Sequence, residues 1–138
     1  MAMKMQVLHY PEKGKIATFA SGLAEEFQVK CDKIPPAYDC SRERLVFVGV
    51  SSGKMLEDSL SRFLRGLDRE KAQNVAIFTD SADSTVEEIK TLVTEAGANV
   101  MDVKKVKGSL FSFLSGVKPE EMADLKAWAN GLVAQLQD

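Results

Sequence analysis

Leu45-Val46-Phe47-Val48-Gly49-Val50 is an unbroken apolar run, mostly β-branched or aromatic, with none of the polar alternation of a half-solvated strand. A strand of this kind needs cover on both faces, which a parallel sheet flanked by helices supplies. The chain before it follows the same logic. Met5-Gln6-Val7-Leu8-His9-Tyr10 predicts a strand that breaks at Pro11-Glu12-Lys13-Gly14-Lys15. Ile16, Phe19, Ala20, Leu23, Ala24 and Phe27 then form one helical stripe. Gln28-Val29-Lys30-Cys31 predicts a short second strand, ended by Asp32-Lys33-Ile34-Pro35-Pro36, where two prolines stop helix and ladder alike. The connection to the central strand is too short for a long helix.

Ser51-Ser52-Gly53 breaks the central strand, and Met55, Leu56, Leu60, Phe63, Leu64 and Leu67 repeat at helical spacing until Asp68. Asn74 to Thr79 predicts the fourth strand. Ser84 with Glu87 reads as a capping box opening a helix that carries Val86, Ile89, Leu92, Val93 and Ala96 and closes at Gly97. Val100 to Val103 predicts a fifth strand. Pro119, Glu120 and Glu121 suit the first turn of a last helix, whose buried stripe holds Met122, Leu125, Trp128, Ala129, Leu132, Val133 and Leu136. Strands alternating with helices predict a three-layer α/β sandwich around a five-stranded parallel sheet with right-handed crossovers.

A length of 138 residues allows one domain with a real core, so a single domain is expected over 1–138. Apolar and charged fractions of 45% and 28% exclude disordered and collagen-like chains, and no apolar run approaches the length of a membrane span. Met1 to Met5 leads straight into the first strand without the layout of a secretion signal, so a cytoplasmic protein is expected. A net charge of −2 gives no long-range attraction for nucleic acid or acidic lipid. The short basic run Lys104-Lys105-Val106-Lys107 reads first as a solvated strand end, and otherwise as a contact for phosphate or an acidic protein. Cys31 and Cys40 have neither redox-pair nor zinc spacing and read as reduced thiols.

In an open parallel sheet the ligand crevice lies beyond the carboxyl ends of the strands. That places residues 9–15, 49–54 and 79–85 together. The helix that starts after Gly14 brings unpartnered backbone N–H groups to this edge, a ready phosphate cradle. His9, the one histidine, reads as a strand-end side chain satisfied by backbone, or else as a proton relay beside a ligand. Phe111 and Phe113 read as packing under a loop, or as a pocket cap or partner surface. Most methionines read as gap-fillers and Trp128 as core.

Other owners of this topology fit poorly. A phosphoacceptor domain needs an acidic pair after strand one and an Asp ending strand three, where this chain has His9-Tyr10 and Val50-Ser51. The GxxxxGK[ST] phosphate loop is absent. Gly49-Val50-Ser51-Ser52-Gly53 matches the GxSxG elbow at a strand-to-helix junction, but His9 precedes the serine, whereas in that fold the histidine follows it.

The chain resembles the flavodoxin family. The likeness rests on the strand, Gly14 turn and first helix, on Ala37-Tyr38-Asp39, Gly49 and Ala76-Ile77-Phe78, and on Val106-Lys107-Gly108-Ser109-Leu110 followed by Pro119-Glu120-Glu121 and Trp128-Ala129. It implies strand order 2-1-3-4-5, FMN as cofactor, an electron-transfer or redox-accessory role and a redox partner protein. The implied FMN contacts are Tyr10, Pro11, Glu12, Lys13, Gly14, Lys15, Ser51, Ser52, Gly53, Thr79, Asp80 and Ser81.

The family's first loop reads roughly Ser/Thr-x-Thr-Gly-x-Thr, and here Pro11, Lys13 and Ile16 occupy the hydroxyl positions. Gly14 alone carries over, with Lys13 and Lys15 as replacement charge. The second and third loops carry no stacking aromatic, leaving Tyr10 the nearest candidate by sequence. Two readings therefore stand: an FMN-binding electron-transfer protein, or a flavodoxin-fold binding module that has lost FMN and acts through protein contacts or another anion.

Overall fold

The computed structural model of the chain describes residues 3–107 and 117–137. Five parallel strands, β1 (Met5–Tyr10), β2 (Lys30–Lys33), β3 (Glu43–Val50), β4 (Ala72–Thr79) and β5 (Asn99–Lys105), form one sheet in the order β2-β1-β3-β4-β5. The helices are α1 (Lys15–Phe27), α2 (Asp58–Arg65), α3 (Asp83–Ala96) and α4 (Pro119–Leu136). This is the expected flavodoxin-like order.

The sheet separates two apolar layers. On one face Leu8, Val46, Val48, Val50 and Ile77 pack against Leu60 and Leu64 of α2 and Ile89 and Val93 of α3. On the other, Val7, Leu45, Phe47, Ala76 and Phe78 meet Phe19 and Leu23 of α1 and Leu125, Ala129 and Leu132 of α4. The central run Leu45–Val48 is fully buried, as its lack of polar alternation requires. Trp128 belongs to the second layer: its ring meets Phe47 edge-on at 6.0 Å, and its indole N–H donates to Asp102 at 2.9 Å.

Several boundaries differ from the sequence reading. Gln28 does not begin a strand; it ends α1 in a left-handed conformation (φ 55°), and Val29 N–H donates to Ala24 O, so pairing with β1 starts at Lys30. The capping box of Ser84 and Glu87 does not form. Ala82 is the N-cap instead, because its N–H is held by Gly53 O and the helix begins at Asp83, leaving Ser84 inside the first turn. Helix α2 is shorter than expected: Met55 lies before it and is 77% exposed, while Leu67 lies beyond it yet is buried. The fifth strand extends past Val103 to Lys105 and bulges opposite Val75 and Ala76.

Gly49 is fixed by close packing. A Cβ there would lie 2.4 Å from the Phe78 ring and 2.9 Å from Ile16, so this position joins β4 and α1 across the sheet. Ser109, Leu110, Phe111 and Phe113, from the family likeness and the pocket-cap reading, lie outside the described residues.

Candidate functional site

Because the strands are parallel and in register, Tyr10, Val50, Thr79 and Lys105 end at one edge. The three loops expected to form a crevice leave from that edge. Ser51 N–H donates to Tyr10 O at 2.8 Å, and Ala82 N–H to Gly53 O at 2.9 Å, so backbone bonds tie the second loop to both neighbours.

The side chains of the second and third loops bind one another. Thr79 Oγ1, fully buried, lies 2.6 Å from Val50 O and 2.8 Å from Ser81 Oγ, and accepts from Ser81 N–H at 3.0 Å. A hydroxyl has one proton, so Thr79 donates to Val50 O and accepts from Ser81. Ser81 Oγ also accepts from Ser52 N–H at 3.0 Å. Ser51 Oγ donates to Asp80 at 3.1 Å, Ser52 Oγ to Met55 O at 2.6 Å, and Thr85 Oγ1 to Gly53 O at 2.9 Å. Lys105 binds Ser81 O and sits 3.2 Å from Asp83. These contacts bolt β3–α2 to β4–α3.

The first loop is organised differently. His9 is buried with Nδ1 2.9 Å from Pro11 O, the backbone-satisfied reading of this residue, and with Nδ1 donating the imidazole holds the loop against its own strand. Gly14 caps α1 at φ +113°, with nothing within 4 Å of a Cβ placed there. The first N–H groups of α1 therefore open beside an uncrowded backbone. Pro11 offers no N–H, and Glu12 puts a carboxylate in the same exposed turn.

Lys15 turns away from the loop to Glu121 of α4, Nζ to Oε2 at 3.1 Å, with the two side chains only 10% and 19% exposed. The Lys118 N–H and the Lys15 ammonium hold the Glu121 carboxyl below its usual range. Tyr10, the stacking candidate, packs against the layer on the α2/α3 side. The basic run at the end of β5 is only partly solvated: Lys104 pairs with Asp124 at 2.8 Å, and Lys105 with Asp83.

The sequence named most of these residues but not their partners. The contacts of Glu121, Thr85 and Lys105 escaped it, since each acts on a residue brought near only by the crossover of the chain. Among the described residues, no group of three or more His, Cys, Asp or Glu side chains is placed to hold a metal ion, and no helix is long and apolar enough to cross a membrane. The sequence matches no protein-family model and no curated protein.

Tested against FMN, the described residues fit poorly. The phosphate position has a proline and a carboxylate, and of its two lysines Lys15 is already paired, leaving the exposed Lys13. The hydroxyls of the later loops donate to acceptors within the protein, and the nearest ring, Tyr10, is partly buried against the α2/α3 layer.

Proposed function

We propose that this protein is a flavodoxin-fold binding module that works through protein contacts at the carboxyl edge of its sheet instead of carrying FMN in the flavodoxin manner. The observation that carries this reading is the set of hydrogen bonds among Ser52, Thr79, Ser81 and Val50, which commits the hydroxyl protons of Thr79 and Ser81 and the Ser52 N–H to contacts within the protein. The same edge presents an apolar contact. Met55, 77% exposed, is held in a turn by Ser52, whose hydroxyl binds Met55 O and whose carbonyl accepts from Met55 N–H.

One feature favours a second reading, an FMN-dependent electron carrier. Gly14 and the first turn of α1 keep the backbone form of a phosphate cradle, and backbone N–H groups alone can hold a phosphate. The visible spectrum of the purified protein, with and without added FMN, separates the two. A colourless protein that leaves FMN fluorescence unquenched supports the binding module. Flavin bands, or quenching at micromolar protein, overturn it in favour of the electron carrier.

A further inference from the structure

At the opposite, amino edge of the sheet lies a groove of about 820 Å³, walled by the ends of β1, β2 and β3 and the chain leaving α1. Glu43, the first residue of β3, lines it. Its side chain is only 7% exposed, and its Oε2 has no hydrogen-bond partner among the described residues. Lys4 reaches the other oxygen, Oε1, at a long 3.9 Å, while its ammonium also binds Ser41 O. An acceptor taken from water without a donor is costly, and its carboxylate form more so. Burial accordingly pushes the Glu43 carboxyl up, against the opposing pull of Lys4, Lys30 and the Ser41 backbone N–H.

Three further features give the groove a preference for cations. Asp32 and Asp39 line it with Glu43, against Lys4 and Lys30. Helix α1 ends beside it at Gln28 with no basic residue in its last turn, so the negative end of the helix is uncompensated by its own side chains. Tyr38 stands at the groove with 80% of its surface exposed, an aromatic face of the kind that attracts ammonium groups.

We propose that this groove binds a small molecule bearing a primary ammonium group, which donates to Glu43 Oε2 and lies against Tyr38. The site is at the other end of the sheet from the loops discussed above, so it stands or falls independently of them.

The test uses the full chain and 1,4-diaminobutane as probe, with 1,4-butanediol, which has the same length and no charge, as control. Saturable amide shifts at Gln6, Lys30 and Glu43 in the presence of the diamine are expected, with the diol inert. Glu43→Gln should weaken binding by about tenfold or more, the worth of a charge-assisted hydrogen bond. Tyr38→Ser, at an exposed position, should weaken it without affecting folding, so the proposal stays testable if the Glu43 variant does not fold. A diamine that gives no saturable response up to about 10 mM, equal binding of the diol, or binding unchanged in folded Glu43→Gln or in Tyr38→Ser would overturn the proposal.

Discussion

Lys15 and Glu121, 106 positions apart, form an ion pair of 3.1 Å that ties the start of α1 to the start of α4. It turns one of the two lysines nearest the phosphate loop into a structural contact. The Glu121 carboxylate also accepts from Lys118 N–H at 3.1 Å, so one side chain closes the N-terminus of α4 and neutralises Lys15.

This pair sets a pH dependence. The Glu121 carboxyl titrates below its usual range, so its contribution is present above the unfolded carboxylate value and is lost as pH falls through the lower folded value. Glu121→Gln should therefore cost about 1 kcal/mol near pH 7 and much less near about pH 3. Urea unfolding at the two pH values checks this. A cost independent of pH would assign the effect to packing.

Gly49→Ala should destabilise by about 1–3 kcal/mol, because the new methyl would stand 2.4 Å from Phe78 and 2.9 Å from Ile16 in a filled layer. Adding Phe78→Leu should recover part of the loss by freeing the ring's space. Thermal unfolding of the single and double variants reads both effects, and additive losses would mean the two residues do not compete for one space.

Thr79→Val removes the hydroxyl that serves Val50 O, Ser81 N–H and Ser81 Oγ in a fully buried position. A loss of about 2 kcal/mol is expected, against under about 1 kcal/mol for Ser51→Ala, whose bond to Asp80 is only partly buried. Equal losses in a melting experiment would show that the network does not hinge on Thr79.

The two cysteines should differ in reactivity. Cys40 is buried, and burial, with the charges of Glu43 and Asp39, pushes its thiol up to about 11. Cys31 is exposed, and its thiol is raised by partial burial and by Asp32. With iodoacetamide near neutral pH, mass spectrometry should find Cys31 alkylated first and Cys40 only after unfolding. Equal rates in the folded protein would contradict the burial of Cys40.

The order of strands and helices was legible in the sequence because it depends on local periodicity. Leu45–Val50 reads as a doubly covered strand, and Pro119 with Glu120 and Glu121 as a helix start, from neighbouring residues alone. The helix starting after Gly14 was legible for the same reason. What failed locally was settled by distant contacts: Ser84 looked like a cap, but Gly53 O holds Ala82 N–H and moves the helix start by two residues. The partners of Lys15, Thr79 and Ser81 were likewise hidden. Only the tertiary structure decided that these groups, which a sequence can place near a ligand, face one another instead, because hydrogen-bonding capacity is used up by whichever donors and acceptors the fold brings within about 3 Å.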